Sequence, residues 1–262
     1  MISIVIPTLN EEEYLPRLLD SLAEQSFRDF EAIVVDGGSA DRTVAVASAR
    51  QDEIALRLVV MDRADLSTQR NVGAKQARGD WLLFVDADSV LMPYTLERCM
   101  RFVSERDVAF FTTWCRADTD TRRDALLALV ANVLYEFKLK SKRPYSPGPF
   151  TAIRKEAFDR VGGYAEGRAY QEDYDLSVRA ARAGIELRIL RETLYEWSTR
   201  RVRKRGFLPM IREWTFVGLY MLVVRRPLDR VPGYVMGGQE YRTEQAEGTP
   251  SGGSTTGFPA RH

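Results

Sequence analysis

Two carboxylates stand almost side by side directly after a run of apolar residues. The stretch from Trp81 to Leu91 reads WLLFVDADSVL, so Asp86 and Asp88 are separated by one alanine at the end of a segment that should be buried. Carboxylates in such a place are costly to desolvate unless a cation or several backbone N–H groups face them. The pattern therefore suggests a hard metal ion, although a lone DxD is common by chance and could also cap the next segment.

The surrounding sequence alternates short apolar segments with amphipathic helical ones, which predicts an α/β protein with a mostly parallel central sheet flanked by helices. The first predicted helix contains Leu15, Leu18 and Leu22. The predicted strands are Ile2 to Ile6, Glu31 to Val35, Leu56 to Met61 and Trp81 to Val85, with further helices near Asp41 to Ala49 and Ser67 to Ala77.

Polar clusters follow three of these strands. They are Pro7 to Glu11, Asp36 to Ser39 and Asp86 to Asp88. Because ligands of open α/β sheets bind beyond the carboxyl ends of the strands, the three clusters should face one crevice. The segment GGSADRT lacks both the GK[ST] ending of a phosphate-binding loop and the GxGxxG spacing of a dinucleotide fold. By itself, Ser39 to Thr43 is equally well explained as a helix cap.

Composition excludes several other classes. The 262 residues carry 38 Lys and Arg against 37 Asp and Glu, a formal net charge of +1, so we expect no nucleic-acid partner. Cys99 and Cys115 lack metal-ligand spacing and suit packing positions in a reducing cytoplasm. We expect neither a signal peptide nor a segment of transmembrane length.

Four segments resemble the successive motifs of the family 2 glycosyltransferases, which have the GT-A fold. In order they are PTLNEEEYL, VVDGGSADRT, RNVGAKQARGDWLLFVDADS and GGYAEGRAYQEDYDLSVRAARAG. One departure is DGGS at 36–39, where the family often has DDGS. The resemblance implies a catalytic domain over residues 1–200, with a nucleotide-binding half at 1–90 and an acceptor-side half at 91–200.

The resemblance also implies a pocket for a nucleoside-diphosphate sugar. Pro7, Asn10 and Glu11 would line the base and ribose, and Asp36 would accept hydrogen bonds from the base. Arg70, in the RNVG motif, would lie near the nucleotide.

For the cofactor, the resemblance implies Mn²⁺ or Mg²⁺, with Asp88 as direct ligand and Asp86 against the ribose and the water shell of the ion. Such an ion would neutralise the charge that develops on the departing diphosphate. Neither cysteine nor histidine occurs near this motif, which argues against zinc.

The acceptor hydroxyl needs a base, and the sole histidine, His262, ends a tail rich in Gly, Ser and Thr. Glu172 and Asp173 in the QEDYDL segment could merely favour a helix N-terminus. The resemblance instead implies that Asp173 is the general base of an inverting transfer and that Glu172 supports it. Tyr164 and Tyr170 are candidates to stack on a sugar face.

A C-terminal extension is expected over residues 201–236, followed by a disordered tail at 237–262. Its basic stretch STRRVRKRGF is either a solvated loop or, as in many family members, a contact to the donor diphosphate through Arg201 and Arg205. Trp214 to Val224 is too short to span a bilayer. It suits an interfacial helix on anionic lipid at the inner face of the membrane, or equally a packed helix or homodimer contact.

The predicted function is a metal-dependent inverting glycosyltransferase acting on an acceptor hydroxyl, which could be lipid-linked. A nucleotidyltransferase on a similar scaffold is the first alternative, but its Gly-rich basic loop is missing from the first motif. A non-catalytic sugar-nucleotide binding module is the second, and it would tolerate the loss of Asp88 or Asp173, both of which are present.

Overall fold

The computed structural model describes residues 1–140, 144–167 and 171–206, together with positions 209 and 212. The predictions for Tyr170, for Trp214 to Val224 and for the tail at 237–262 lie outside these residues. Within the described part of the chain, no helix is both long and apolar enough to cross a membrane.

The four predicted strands are confirmed, with ends that differ by at most two residues. The strands are β1 (Ile2–Thr8), β2 (Phe30–Asp36), β3 (Leu56–Val60), β4 (Trp81–Val85), β5 (Val90–Leu91), β6 (Phe110–Ala117), β7 (Phe150–Arg154) and β8 (Leu187–Trp197). The helices are α1 (Leu15–Ala23), α2 (Thr43–Ala49), α3 (Leu66–Gln76), α4 (Thr95–Glu105), α5 (Arg122–Lys140), α6 (Lys155–Val161), α7 (Glu172–Arg182) and α8 (Arg200–Arg205).

Within the described residues the strands form one sheet in the order β3-β2-β1-β4-β7-β6-β8-β5. The strands β1 to β4 are mutually parallel, as predicted. The other half is mixed, because β7 runs antiparallel to both β4 and β6, and β5 runs antiparallel to β8. The parallel half brings the carboxyl ends of β1, β2 and β4 to one edge, where the polar clusters follow.

Alternate residues of β1 pack on opposite sides of the sheet, since successive side chains of a strand point to opposite faces. Ile4 and Ile6 pack on one side with the leucines of α1, and Val5 packs on the other. A methyl group added to Gly73 would lie 2.3 Å from Cγ1 of Val5. Helix α3 can therefore lie this close to the sheet only because position 73 is glycine.

The cysteines have the packing role that the sequence predicts. Cys99 and Cys115 are free and buried, with exposed fractions of 4% and 2%. Burial raises the pKa of the Cys115 thiol to about 11, so the thiol stays neutral and unreactive near neutral pH.

Candidate active site

The loops after β1 and β2 are tied together by side chains. Asn10 has a φ of 52°, a left-handed conformation that asparagine adopts more readily than most residues. Its Oδ1 accepts a hydrogen bond from the N–H of Ala40 at 2.8 Å, and its own N–H donates to Oγ of Ser39 at 2.8 Å. The N–H of Glu11 donates to Oγ1 of Thr43 at 2.7 Å. The first two polar clusters thus form one continuous surface.

Asp36 organises the second of these loops. Its side chain is fully buried, and Oδ2 accepts from the N–H groups of Gly38 at 3.0 Å and Ser39 at 2.8 Å. Oδ1 accepts from the hydroxyls of Ser39 and Thr8. Pro7 is also buried, within β1 opposite Val35. The carboxylate therefore shapes the loop, and base contacts by Asp36 and Pro7 stay predictions.

Arg70 joins the DxD motif to the acids at the start of α7. Its guanidinium is 1% exposed; Nη1 donates to Oε1 of Glu172 at 3.0 Å and to Oδ1 of Asp173 at 2.9 Å. Nη2 donates to Oδ1 of Asp86 at 3.0 Å. The structure thus places Arg70 among carboxylates. That Arg70 lies near the nucleotide stays a prediction, and its contact with Asp86 of the DxD motif agrees with it. Residues of the RNVG, DxD and QED motifs, which are far apart in the sequence, are therefore in contact through the side chain of Arg70.

The charges of this group do not balance, because one guanidinium faces three carboxyl groups. Burial raises the pKa of Asp173 well above its ordinary value; Arg70 opposes the shift, whereas Glu172 and Asp86 add to it. Burial alone would lower the pKa of Arg70, but the surrounding acids, Asp173 foremost, hold that pKa well above its usual value. The excess of acid favours a further cation at this edge of the sheet.

Gly148 lies directly against the carboxylate of Asp173. A methyl group at position 148 would lie 2.6 Å from Oδ2 of Asp173 and 3.2 Å from Nη2 of Arg70. Oδ1 of Asp173 accepts from Arg70, and Oδ2 is the oxygen that lies against the backbone of Gly148. Glycine therefore lets the backbone at position 148 approach the carboxylate more closely than any other residue could.

A second arginine, with a side chain that is 12% exposed, connects the first loop to the DxD motif. The Nη1 and Nη2 atoms of Arg200 donate to the two carboxylate oxygens of Glu11 at 2.7 and 2.6 Å. Nε of Arg200 lies 2.9 Å from Oδ2 of Asp88, and the guanidinium lies 4.5 Å from the ring centre of Tyr14. Such a bidentate ion pair with a carboxylate is among the strongest hydrogen-bonded contacts that arginine makes.

Burial perturbs both acids that Arg200 holds. It raises the pKa of Glu11 to about 7, in spite of the opposing hydrogen bond and charge of Arg200. It also raises the pKa of Asp88, and here the charges of Arg200 and Arg201 oppose it. Burial therefore disfavours the charged form of both acids, and the neighbouring arginines oppose that effect.

The basic stretch contacts the site through Arg200, for which the sequence predicted no specific role. Arg201 and Arg205 were the predicted diphosphate contacts, but Arg200 is the residue that pairs with Glu11 and Asp88. Arg201 is half-buried and acts on Asp88 through its charge. The side chain of Arg205 lies outside the described part of the structure.

The chemistry of the DxD motif fits a divalent cation. The side chains of Asp86 and Asp88 are 32% and 19% exposed, so both can be reached from the crevice. No cluster of three or more His, Cys, Asp and Glu side chains suited to a metal occurs among the described residues. Mg²⁺ and Mn²⁺ commonly use one or two carboxylates together with substrate phosphates, so two aspartates fit such an ion.

Tyr164 does not line the crevice, so its predicted stacking on a sugar is wrong. Its side chain is 2% exposed and packs in the core against Phe84 and Phe158, with ring centres 5.1 and 5.7 Å away. The guanidinium of Arg70 lies 5.0 Å from the centre of its ring. Tyr164 therefore packs against Arg70 from the core side, and a cation close to an aromatic face makes a favourable contact.

Comparison with solved structures identifies the fold. The structure of Staphylococcus aureus TarS 1-349 in complex with UDP-GlcNAc superposes with a TM-score of 0.64, at 24% identity, over 76% of this chain and 58% of that one. A mannosyltransferase from Pyrobaculum calidifontis in complex with GDP-Man and Mn²⁺ superposes with a TM-score of 0.59, at 23% identity, over 73% of this chain and 56% of that one. The GT-A fold expected from the motifs is confirmed.

Curated relatives match parts of this chain. An uncharacterized glycosyltransferase of Haemophilus influenzae is 28% identical over 182 residues, covering 68% of this chain and 61% of its own. A PGL/p-HBAD biosynthesis glycosyltransferase of Mycobacterium tuberculosis is 41% identical over 110 residues, covering 41% of this chain and 43% of its own. The alignments thus span less than two thirds of these relatives. The sequence model of glycosyl transferase family 2 matches residues 3–162, more than half of the chain, and the chain belongs to that family.

Proposed function

We propose that this chain transfers a sugar from a nucleoside-diphosphate sugar to an acceptor hydroxyl, with a divalent cation and with inversion at the anomeric carbon. The observation that carries the proposal is the contact of Arg70 with both Asp86 and Asp173. One side chain holds the DxD motif and the acceptor-side acid together, so donor and acceptor chemistry can meet at this point.

The donor belongs at the joined loops after β1 and β2. Asn10 and Glu11 are fixed there by hydrogen bonds to Ser39 and Thr43, and Asp36 holds the loop from below. A loop held in this way presents its polar groups without a large ordering cost on binding. Solved neighbours of the same fold contain UDP-GlcNAc and GDP-Man, which supports a nucleotide sugar as donor.

Asp88, with Asp86 beside it, would hold Mn²⁺ or Mg²⁺. When bound, such an ion neutralises the charge that develops on the diphosphate oxygens. Arg200 already supplies a positive charge at Asp88, and we propose that it contributes to diphosphate binding together with Arg201 and Arg205. The Mn²⁺ in the Pyrobaculum calidifontis mannosyltransferase complex supports the choice of ion.

Asp173 would take the proton of the acceptor, while Glu172 shares Arg70 with it and supports its position. Oδ1 is held by Arg70, and Oδ2 lies against the backbone of Gly148. The positive charge of Arg70 favours the ionised carboxylate that a base requires, against the effect of burial.

The reaction would be a single displacement. The hydroxyl oxygen of the acceptor forms a bond to the anomeric carbon from the face opposite the diphosphate, and its proton passes to Asp173. The bond from the anomeric carbon to the diphosphate oxygen breaks, and its electron pair leaves with the diphosphate. Attack from the opposite face inverts the anomeric configuration.

The acceptor and the setting of the reaction are also part of the proposal. We propose a catalytic unit over residues 1–200 acting on a hydroxyl acceptor that can be lipid-linked, in the cytoplasm and at an anionic membrane surface. The free, buried Cys99 and Cys115 suit a reducing compartment. The apolar Trp214 to Val224, followed by Arg225 and Arg226, suits a lipid surface.

A ligand screen tests the proposal at its first step. Thermal unfolding is followed with a panel of UDP- and GDP-sugars, each with Mn²⁺ and with a chelator. A true donor should raise the melting temperature only when Mn²⁺ is present, and a ligand at 100 times its Kd stabilises by ~2.7 kcal/mol. Failure of every nucleotide sugar in the presence of Mn²⁺ would contradict the proposed donor class.

A further inference from the structure

Helix α5 exposes a continuous apolar face. Six large side chains are between 42% and 71% exposed and follow the three-and-four spacing of one helix side: Leu126, Leu129, Val130, Val133, Leu134 and Phe137. The opposite side packs on the protein through Leu127, Ala128 and Ala131. The stripe covers eleven residue steps, about 16 Å of helix. Such a patch on a protein surface marks a contact with another apolar partner.

Basic residues flank this face in the sequence, and the amine of the first one after it, Lys138, lies 4.3 Å from the ring centre of Tyr145. Arg122 and Arg123 precede it and are exposed, and the sequence after Phe137 reads KLKSKR. The acids of the same helix are turned away or paired, because Asp124 is buried and Glu136 binds Arg191 at 2.8 Å. An apolar stripe between cationic ends has the pattern of a helix that lies in the interface of an anionic bilayer.

Helix α8 packs beside this helix. Val202 of α8 and Leu127 of α5 belong to one small apolar cluster, so the chain leaves α8 next to α5. The apolar segment Trp214 to Val224 follows within a few residues. Two apolar segments of the sequence thus have arginine or lysine beside them.

We propose that the apolar face of α5 docks on an anionic lipid bilayer. Cover by residues 214–224 of the same chain is less suitable, because those eleven residues include no charged side chain and would expose an apolar surface of their own. A second copy of α5 is also less suitable. With basic residues at both ends, pairing in either direction would bring like charges together.

The proposal deepens the membrane setting proposed above, because it names the surface that binds lipid. Its test does not depend on the transferase function, because flotation on vesicles needs neither donor nor acceptor. The full chain is mixed with phosphatidylcholine vesicles that contain or lack phosphatidylglycerol. The double variant Leu129→Glu/Val133→Glu tests the face, and Val60→Glu, at an exposed apolar residue of β3, is the matched control. Melting temperature and molar mass in solution are measured for each.

The wild type and Val60→Glu should float with the anionic vesicles, less so with neutral ones, and added salt should weaken the binding. The double variant should bind at least about tenfold more weakly, with an unchanged melting temperature, since exposed substitutions change stability little. Three results would overturn the proposal. The first is equal flotation of the wild type and the double variant. The second is a large fall in the melting temperature of the double variant, which would indicate that the chain itself covers the face, and the third is a wild-type dimer that the substitutions dissociate.

Discussion

Nε of Arg200 lies 2.9 Å from Oδ2 of Asp88, so the proposed metal ligand is already paired with a cation of the protein. The same guanidinium binds both carboxylate oxygens of Glu11. Arg200 therefore connects the donor loop to the DxD motif. A divalent ion at Asp88 would share this carboxylate with Arg200, and the donor diphosphate could bring enough negative charge to satisfy both cations.

The first prediction concerns Asp88. Asp88→Asn should leave the protein folded but remove the Mn²⁺-dependent part of nucleotide binding, because an amide is a neutral and weak ligand for a hard cation. Calorimetry of nucleoside-diphosphate binding with and without Mn²⁺ measures this. Asp80→Asn, at a side chain that is 89% exposed, is the control and should bind like the wild type. Unchanged metal-dependent affinity in Asp88→Asn would remove the DxD motif from the metal site.

The second prediction concerns Gly148. Gly148→Ala places a methyl group 2.6 Å from Oδ2 of Asp173, so the carboxylate proposed as the base must shift. Turnover should fall at least about tenfold, since small misplacements of reacting groups are costly. Donor affinity should stay within about twofold, because the donor contacts lie elsewhere. Steady-state kinetics and calorimetry are compared; a loss of donor affinity equal to the loss of turnover would point to a general disturbance.

The sequence predicts those parts of the site whose residues are close together along the chain, and it misses contacts between residues that are far apart. Asp86 and Asp88 could be placed, because an apolar strand runs directly into them and strand ends meet at one sheet edge. The partnership of Arg70 with Asp173 spans 103 residues and depends on how α3 and α7 pack, which no local pattern contains. Likewise, Arg200 is one of several arginines in its stretch, and only the fold selects it.

Helix α5 shows the same limit for the fold. Its sequence is apolar on both sides, which is typical of a helix buried all round. The structure buries only one side, and the exposed residues could not be separated from the buried ones without knowing where the sheet lies. By contrast, the leucines of α1 lie on one side only, and their burial follows directly from their spacing.

The third prediction concerns stability and its dependence on pH. Arg70→Met leaves Asp86, Glu172 and Asp173 without their shared cation, and removing one partner of a buried ion pair typically costs ~3–5 kcal/mol. Arg98→Met, at a half-exposed pair with Glu192, is the control and should cost about 1 kcal/mol or less. Thermal unfolding of both variants measures the loss of stability. Equal losses would show that the buried Arg70 cluster stabilises the fold no more than the half-exposed pair of Arg98 with Glu192 does.

The sign of the pH effect follows from Asp173. Its pKa in the folded state lies above its unfolded value, so its contribution to stability is fully present below the unfolded pKa and is lost as the pH rises through the folded pKa. Without Arg70, which lowers this pKa, the loss should be larger. The difference in melting temperature between wild type and Arg70→Met should therefore grow as the pH rises from the ordinary carboxyl range through the raised pKa of Asp173, and a difference that shrinks with pH would contradict this assignment.

The last prediction separates catalysis from binding at Asp173. Asp173→Asn should keep donor and metal affinity, because Asp88 and the loops after β1 and β2 are untouched, while turnover falls by about a hundredfold to ten-thousandfold. Asp175→Asn is the control on the same helix, since Asp175 pairs with Arg179 at 2.7 Å. The measurements are donor affinity by calorimetry, turnover, and the anomeric configuration of the product by NMR. Wild-type turnover in Asp173→Asn would exclude this residue as the base, and a product that retains the anomeric configuration of the donor would exclude a single displacement for any variant.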